Sequence, residues 1–189
     1  MNNPSTKRFT REIKAWISYD LGNSAFATTV VAAFFPIFYN QYWASNIDSV
    51  VSAQYLSWTL VISNVTLLFT APLIGAITDI SKTTKKLFIS MVLISIICVA
   101  LLYTLEAGSW LYALVFFGIA NYFFSASNVL YDKILVQIAS PDLFSKISGY
   151  GFAWGYFGGG LLFLINALMS LYPQLFGLES QAEAIRWSF

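Results

Sequence analysis

The sequence predicts an all-α fold, a polytopic membrane helix bundle. Three observations carry that prediction. Of 189 residues, 58% are hydrophobic and only 10% charged, where a soluble domain carries roughly 25% charged residues. Five stretches hold about the 20 apolar residues needed to cross a hydrocarbon core. Short loops join them, and lysines and arginines collect at alternate loops, as the positive-inside rule expects.

Residues 1–15 are polar and basic, with Lys7, Arg8, Arg11 and Lys14. The stretch that follows is too long and too interrupted for a signal-peptide core, so this segment reads as a cytoplasmic lead-in. Span 1 runs near 16–43, between Trp16 and Trp43. It contains Asp20, and a charge at mid-membrane costs roughly 2.5 to 3.5 kcal/mol on insertion scales. At about 100° per residue, Asp20, Asn23, Ser24 and Thr28 share one side of a helix. Asp20, Asn23 and Thr28 are therefore candidates for a proton or solute pathway.

Span 2 is expected near 55–78. At its inner end Pro72, Gly75 and Asp79 share a face, which reads as a close-packing site at Gly75 and a carboxylate beside the lysines at 82, 85 and 86. Helix-end solvation of Asp79 is the plainer alternative. Span 3, near 87–105, is almost wholly apolar and includes the one cysteine, Cys98. In span 4, near 110–135, Asn121, Ser125, Asn128 and Asp132 fall within about 40° of one another on a helix. Such a face either bonds a neighbouring helix or lines an aqueous route. Asp132 lies next to Lys133, so pairing with it or snorkelling to the surface competes with a functional role.

Span 5, near 147–172, opens with six glycines between positions 149 and 160. Gly151, Gly155, Gly158 and Gly159 lie on one face, where two helix backbones can approach closely or the helix can bend. Residues 16–178 read as one membrane bundle with no Gly/Ser-rich or Pro-rich linker. Beyond it, Ser180 and Glu183 have the spacing of a capping box, so residues 179–189 begin a further helix, with a sixth span starting near Ala184. The chain thus reads as a fragment of a longer protein. A complete five-span protein is the alternative.

The loops around residues 46–52 and 106–109 contain no Lys or Arg, which puts the N-terminus in the cytoplasm. Asp20 then lies about one turn from the inner boundary. Together with Asp79 and Asp132, near Lys85, Lys86 and Lys133, it forms an expected cytoplasmic charge network and candidate gate. A formal charge of +1 with no basic run gives no footprint for nucleic acid. The absence of histidine and the single cysteine exclude zinc-hydrolase and His-assisted nucleophile chemistry, so neither metal nor cofactor is expected. No Gly-Lys-Ser/Thr follows the glycines, which excludes a nucleotide loop. Asp20 and Asp132 as an intramembrane catalytic pair have flanks that match no protease motif, and the chain reads as a non-enzyme.

Gly75-Ala-Ile-Thr-Asp79, followed by a Lys-containing loop, resembles the signature between spans 2 and 3 of the major facilitator superfamily. Lys82 and Thr83 stand where that signature has its second glycine and its arginine. Trp16-x-x-Tyr-Asp20, Asn23-Ser-Ala-Phe-Ala-Thr-Thr29, Phe34-Phe-Pro36, Tyr131-Asp132 and the run from Ile147 to Gly160 together resemble its vacuole-effluxer branch. These are the autophagy-related protein 22-like transporters and their bacterial relatives, and the likeness covers about Ala15 to Tyr172. The resemblance implies five spans of an N-terminal six-helix bundle, a missing C-terminal bundle, and alternating access for a small solute held between the two. Fungal relatives imply amino acids and a vacuolar membrane; a bacterial protein would sit in the inner or plasma membrane. Tyr156 replaces the proline of the antiporter glycine motif, and spans 2 to 5 hold no arginine for a proton relay. The competing function is a truncated, non-transporting membrane protein that recruits partner helices through the span-5 glycine face.

Overall fold

The computed structural model describes residues 9–189; Lys7 and Arg8 of the lead-in lie outside them. Five helices are long and apolar enough to cross a membrane. They are α1 (Arg11–Trp43), α2 (Ser49–Ser81), α3 (Thr84–Leu102), α4 (Trp110–Ile138) and α5 (Phe144–Leu171). A short helix, α6 (Gln181–Arg186), follows. No strand occurs among the described residues.

The helix ends follow from local chemistry. Thr10 caps α1 by accepting from the amide of Ile13 at 3.3 Å. Asp48 accepts from Val50 and Val51 at 2.9 and 3.2 Å, so α2 begins ahead of the apolar run expected from residue 55. Such a cap satisfies amides that the first turn leaves unpaired. At α6, Ser180 accepts from Glu183 N at 3.2 Å and the Glu183 carboxylate accepts from Glu179 N at 2.8 Å. The capping box therefore forms, with its return bond shifted by one residue.

α1 is not the uniform helix that periodicity implies. Arg11–Ala25 is α-helical, Phe26–Phe34 and Tyr39–Trp43 wind more widely, and Phe35–Phe38 makes an α-helical turn between them. Pro36 lacks an amide hydrogen and interrupts the ordinary ladder, and i→i+5 bonding takes up the strain on either side.

Packing arranges the spans as two parallel pairs joined by one antiparallel contact. α1 and α5 run side by side, and so do α2 and α4. α1 crosses to α4 through Trp16 on Tyr131, Phe26 on Phe124 and Phe35 on Phe117, with ring centroids 4.1, 4.3 and 3.7 Å apart. α3 covers the other side of α4, where the Ser95 hydroxyl donates to Ala120 O at 3.0 Å. In lipid such contacts work by dispersion, shape and interhelical hydrogen bonds, because the surroundings are as apolar as the side chains.

Three apolar clusters result: a small one joins Ile74, Met91, Ala126 and Leu130, and two larger ones lie toward opposite ends of α1. One, at the C-terminal end of α1, surrounds the fully buried Phe35, Tyr39, Trp43, Leu102 and Phe117. The other, at the N-terminal end of α1, joins Ile13, Trp16 and Ile17 to Tyr131, Ile134 and Leu135. Between them the central helices turn polar, at residues 20–29 of α1 and 121–128 of α4.

Candidate functional site

The polar belt between the clusters is built around Asp20. Its side chain is buried, 7% exposed, and its Oδ1 accepts from Asn23 Nδ2 at 3.4 Å. A Cβ placed on Gly151 would lie 3.1 Å from Asp20 Oδ2, so the glycine leaves room for the carboxylate between α1 and α5. Asp132 on α4 interacts with Asp20 as a like charge. Among the described residues neither carboxylate has a lysine or arginine partner.

The rest of the belt offers acceptors. Asn23 Oδ1 and Asn128 Oδ1 are both buried without a hydrogen-bond donor. The contacts Tyr19–Tyr131 and Phe26–Phe124 put these two asparagines at similar height on α1 and α4. Asn121 is buried deeper on α4 and Ser125 is half-buried. Buried acceptors without donors are costly by about 1–3 kcal/mol each, and they persist where something else supplies the donor.

Thr28 departs from the pathway role. Its hydroxyl donates to Ser24 O of its own helix at 2.9 Å and lies over Gly159. A side chain already bonded within its own helix has little left to offer a solute. The glycines explain the geometry. A Cβ at Gly155 would run into the Ser24 hydroxyl, one at Gly158 into the Leu21 side chain, and one at Gly159 would sit 3.2 Å from Ser24 O. The whole glycine face is thus consumed by α1, which removes the surface that a partner-recruiting reading requires. α5 is one continuous helix through it.

A clasp below the belt fixes its position. The Trp16 indole donates to Tyr131 O at 2.9 Å, and the Tyr131 hydroxyl donates back to Trp16 O at 3.0 Å. The rings stack at an interplanar angle of 4°, and Tyr19 packs on both Tyr131 and Phe88. Both polar tips of the aromatic pair are satisfied by backbone, the arrangement a dry site demands.

The single charge network expected of Asp20, Asp79 and Asp132 with Lys85, Lys86 and Lys133 does not form. Lys133 turns away from Asp132 and reaches α2, bonding Asp79 at 2.6 Å, Thr78 Oγ1 at 2.8 Å and Gly75 O at 3.0 Å. Adjacent residues on a helix point in different directions, so the parallel neighbour is the nearer partner. Asp132 is left exposed. Lys85 pairs with Glu12 at 3.1 Å, while Lys86 is exposed and forms no ion pair. Gly75 also departs from expectation, since nothing lies within 4 Å of a Cβ built there. The close approach of α2 and α4 occurs at Gly118, whose Cβ would sit 2.9 Å from Thr59 Cγ2 and whose carbonyl accepts from Ser63 Oγ at 2.9 Å.

These contacts rank two substitutions. Lys133→Met strips a donor from both Thr78 and the Gly75 carbonyl and is expected to cost about 1–3 kcal/mol of stability. Asp79→Asn should cost less than about 1 kcal/mol, because its carboxylate is 72% exposed. Thermal unfolding of the two variants in the same detergent checks the order; equal shifts would contradict it.

Sequence periodicity missed Gly118, the Trp16–Tyr131 clasp, and the buried Ser127 and Asn166. Gly118 is a lone glycine without a small-residue partner at helical spacing. The clasp joins residues 115 positions apart, and no local pattern encodes such a pairing.

A curated protein of Bacillus subtilis (strain 168), described as "Uncharacterized MFS-type transporter YxiO", is 34% identical to this chain over 169 residues. The match takes in 89% of the chain and 40% of the relative's own length. No family model matches, and no solved structure does. That relative is described as an MFS-type transporter, and five helices of this chain have the length and composition to cross a membrane. The chain is an integral, multi-pass membrane protein.

Proposed function

We propose that this chain is the first bundle of a secondary active transporter that moves a small solute by alternating access. The observation that carries the reading is the acceptor-rich belt: a buried Asp20 with no basic partner among the described residues, and the undonated oxygens of Asn23 and Asn128. Such a belt is chemically matched to a donor group, the ammonium of an amino acid or a transported proton. A charged residue inside a membrane bundle usually marks a substrate or ion path.

The relative is more than twice as long as its matched part, which favours a second bundle closing the path from the other side, with the solute near the interface. The finer placement in the vacuole-effluxer branch rests on Trp16, Tyr19, Asp20, Tyr131 and Asp132. The packing of the Trp16, Tyr19 and Tyr131 rings supports it. In this reading the N-terminus faces the cytoplasm. Asp79 and Lys133 hold the inner ends of α2 and α4 as part of a gate, and Asp132, Lys85 and Lys86 face the cytoplasmic mouth.

The test is uptake by proteoliposomes carrying the protein expressed from its full reading frame. Under an imposed pH step, a radiolabelled amino-acid mixture is expected to accumulate beyond the level of protein-free vesicles. Equal accumulation in both, with either direction of the step, would remove the reading.

A further inference from the structure

We propose that α1 has two windings, and that tightening its wide stretch Phe26–Phe34 turns its C-terminal half away from α4 and opens the polar belt. The unsatisfied polar groups carry this. Among the described residues five buried side-chain atoms lack a hydrogen-bond partner: Asn23 Oδ1, Thr29 Oγ1, Tyr39 Oη and Trp43 Nε1 on α1, and Asn128 Oδ1 on α4. Asn128 shares the α4 face of Phe124 and Tyr131, which meets α1. None of the five lies on α2, α3 or α5. Thr29 is 1% exposed, and Tyr39 and Trp43 are 0% exposed. This chain already seals them, so in this arrangement no further segment reaches them to supply a partner. Groups closed off in this way are costly, and a change in α1 itself is the route by which they regain partners.

Three of the five sit in the widely wound parts, Thr29 in Phe26–Phe34, Tyr39 and Trp43 in Tyr39–Trp43. There the amides of Phe35 and Ala44 reach back five residues, to Val30 O and Tyr39 O. A wide turn holds one residue more than an ordinary turn, and such turns recur at functional sites. Returning one residue to ordinary winding carries everything beyond it about 100° around the axis and about 1.5 Å along it. The two halves of α1 are held unequally. The N-terminal half is fixed by the paired bonds between Trp16 and Tyr131, at 2.9 and 3.0 Å, and by the backbone approach of Gly158 and Gly159. The C-terminal half meets α4 through rings, Phe35 on Phe117 at 3.7 Å. Its bonds to other elements lie at its last turns, from Ser52 to Asn40 and from Gly108 N to Tyr42 O at 3.2 Å. The C-terminal half is therefore the one that turns. Phe26, on Phe124 at 4.3 Å, starts the wide stretch and covers the belt on that side. Tightening lifts it, frees Tyr39 Oη and Trp43 Nε1 from the apolar cluster, and sets Thr29 to donate to Ala25 O. Thr59, Thr66, Thr70 and Thr78 already donate in this way to the carbonyl four residues back, at 2.8–2.9 Å. Helix shifts of this kind are known switching elements. That the turn gates the belt rests on the transporter reading; the turn itself does not.

Fluorine NMR of the purified protein, expressed from its full reading frame with fluorotryptophan and assigned through Trp16→Phe and Trp43→Phe, tests this. Helix register shifts run in microseconds to milliseconds, so the Trp43 signal should show exchange broadening or a second signal. Trp16, in the anchored half, should show neither. Thr29→Val removes a bond made only in the tight winding and should lower its population about fivefold, the weight of one net hydrogen bond. Deleting Ala32, an exposed residue of the wide stretch, lets an ordinarily wound α1 meet both its anchors at once. That variant should stay folded and lose the exchange at Trp43. A wild-type Trp43 signal without exchange at every temperature at which the protein is folded would overturn the proposal. So would equal exchange at Trp16 and Trp43, or exchange that survives the deletion. Should the deletion variant fail to fold, Thr29→Val decides: an unchanged population refutes the tight winding. Where the wild type accumulates solute, the folded deletion variant should not; accumulation at the wild-type rate would overturn the gate and leave the transporter reading intact. Exchange at Trp43 in a protein that moves no solute would remove that reading and leave the two windings standing.

Discussion

Asp20→Asn is expected to abolish gradient-driven solute accumulation while leaving the fold at least as stable as before. The substitution keeps the shape of the side chain, its contact with Asn23 and its fit beside Gly151, and removes only the charge. Asp20 is 7% exposed and has no basic partner among the described residues, so a neutral amide in its place relieves a desolvated, uncompensated charge. Stability should hold or rise, by up to about 1 kcal/mol, and the apparent melting temperature should follow. Accumulation under a pH step should fall to the level of protein-free vesicles, because an amide neither carries a proton nor pairs with an ammonium. Solute exchange without a gradient separates the two roles: it survives if Asp20 carries the proton and vanishes if Asp20 holds the solute. A variant that both accumulates solute and melts as the wild type does would show that Asp20 is merely tolerated in the bundle.

Gly158→Ala should have the largest effect on stability. The added Cβ would be 2.9 Å from Leu21 O and closer still to the Leu21 side chain. A side chain can rotate away, but the carbonyl belongs to the backbone of α1, so the two helices must separate. Overpacking of this kind costs about 1–3 kcal/mol. The pair α1–α5 also sets the space in which Asp20 sits, so the variant should lose transport together with stability. Gly160→Ala is the matched control. Nothing lies within 4 Å of a Cβ there, and replacing a helix glycine by alanine gains up to about 1 kcal/mol. Thermal unfolding of the two variants should therefore shift in opposite directions. Parallel shifts would mean that the glycines serve flexibility and not close approach.

How much of this was legible in the sequence differs from residue to residue. The stripe Asp20–Asn23–Ser24 is local, on one α-helical stretch, and periodicity recovers it. The face Gly151–Gly155–Gly158–Gly159 is equally local, and its small residues announce a close approach. Which helix approaches is not local: the glycine face of α5 meets α1, because Leu21, Ser24 and Thr28 fill the spaces the glycines leave. Lys133 shows the same limit. Its sequence neighbour Asp132 looked like the nearest carboxylate, yet the ion pair goes to Asp79, 54 positions away by number, at 2.6 Å. Gly75 fits a familiar signature, yet nothing lies within 4 Å of a Cβ built there, while Gly118 makes the close approach.

By itself the sequence determined the all-α class, the five membrane-length helices and the polar and small-residue faces they carry. Those properties depend on apolar run length against a fixed hydrocarbon thickness and on the helical repeat, both of which act within a single segment. Only the tertiary structure decided which faces meet: the Trp16–Tyr131 clasp, the Lys133–Asp79 pair, and the seating of Asp20 against Gly151. In a bilayer no hydrophobic force ranks one helix face above another, so shape and a few hydrogen bonds between distant segments choose the partners, and neither is written in a local pattern.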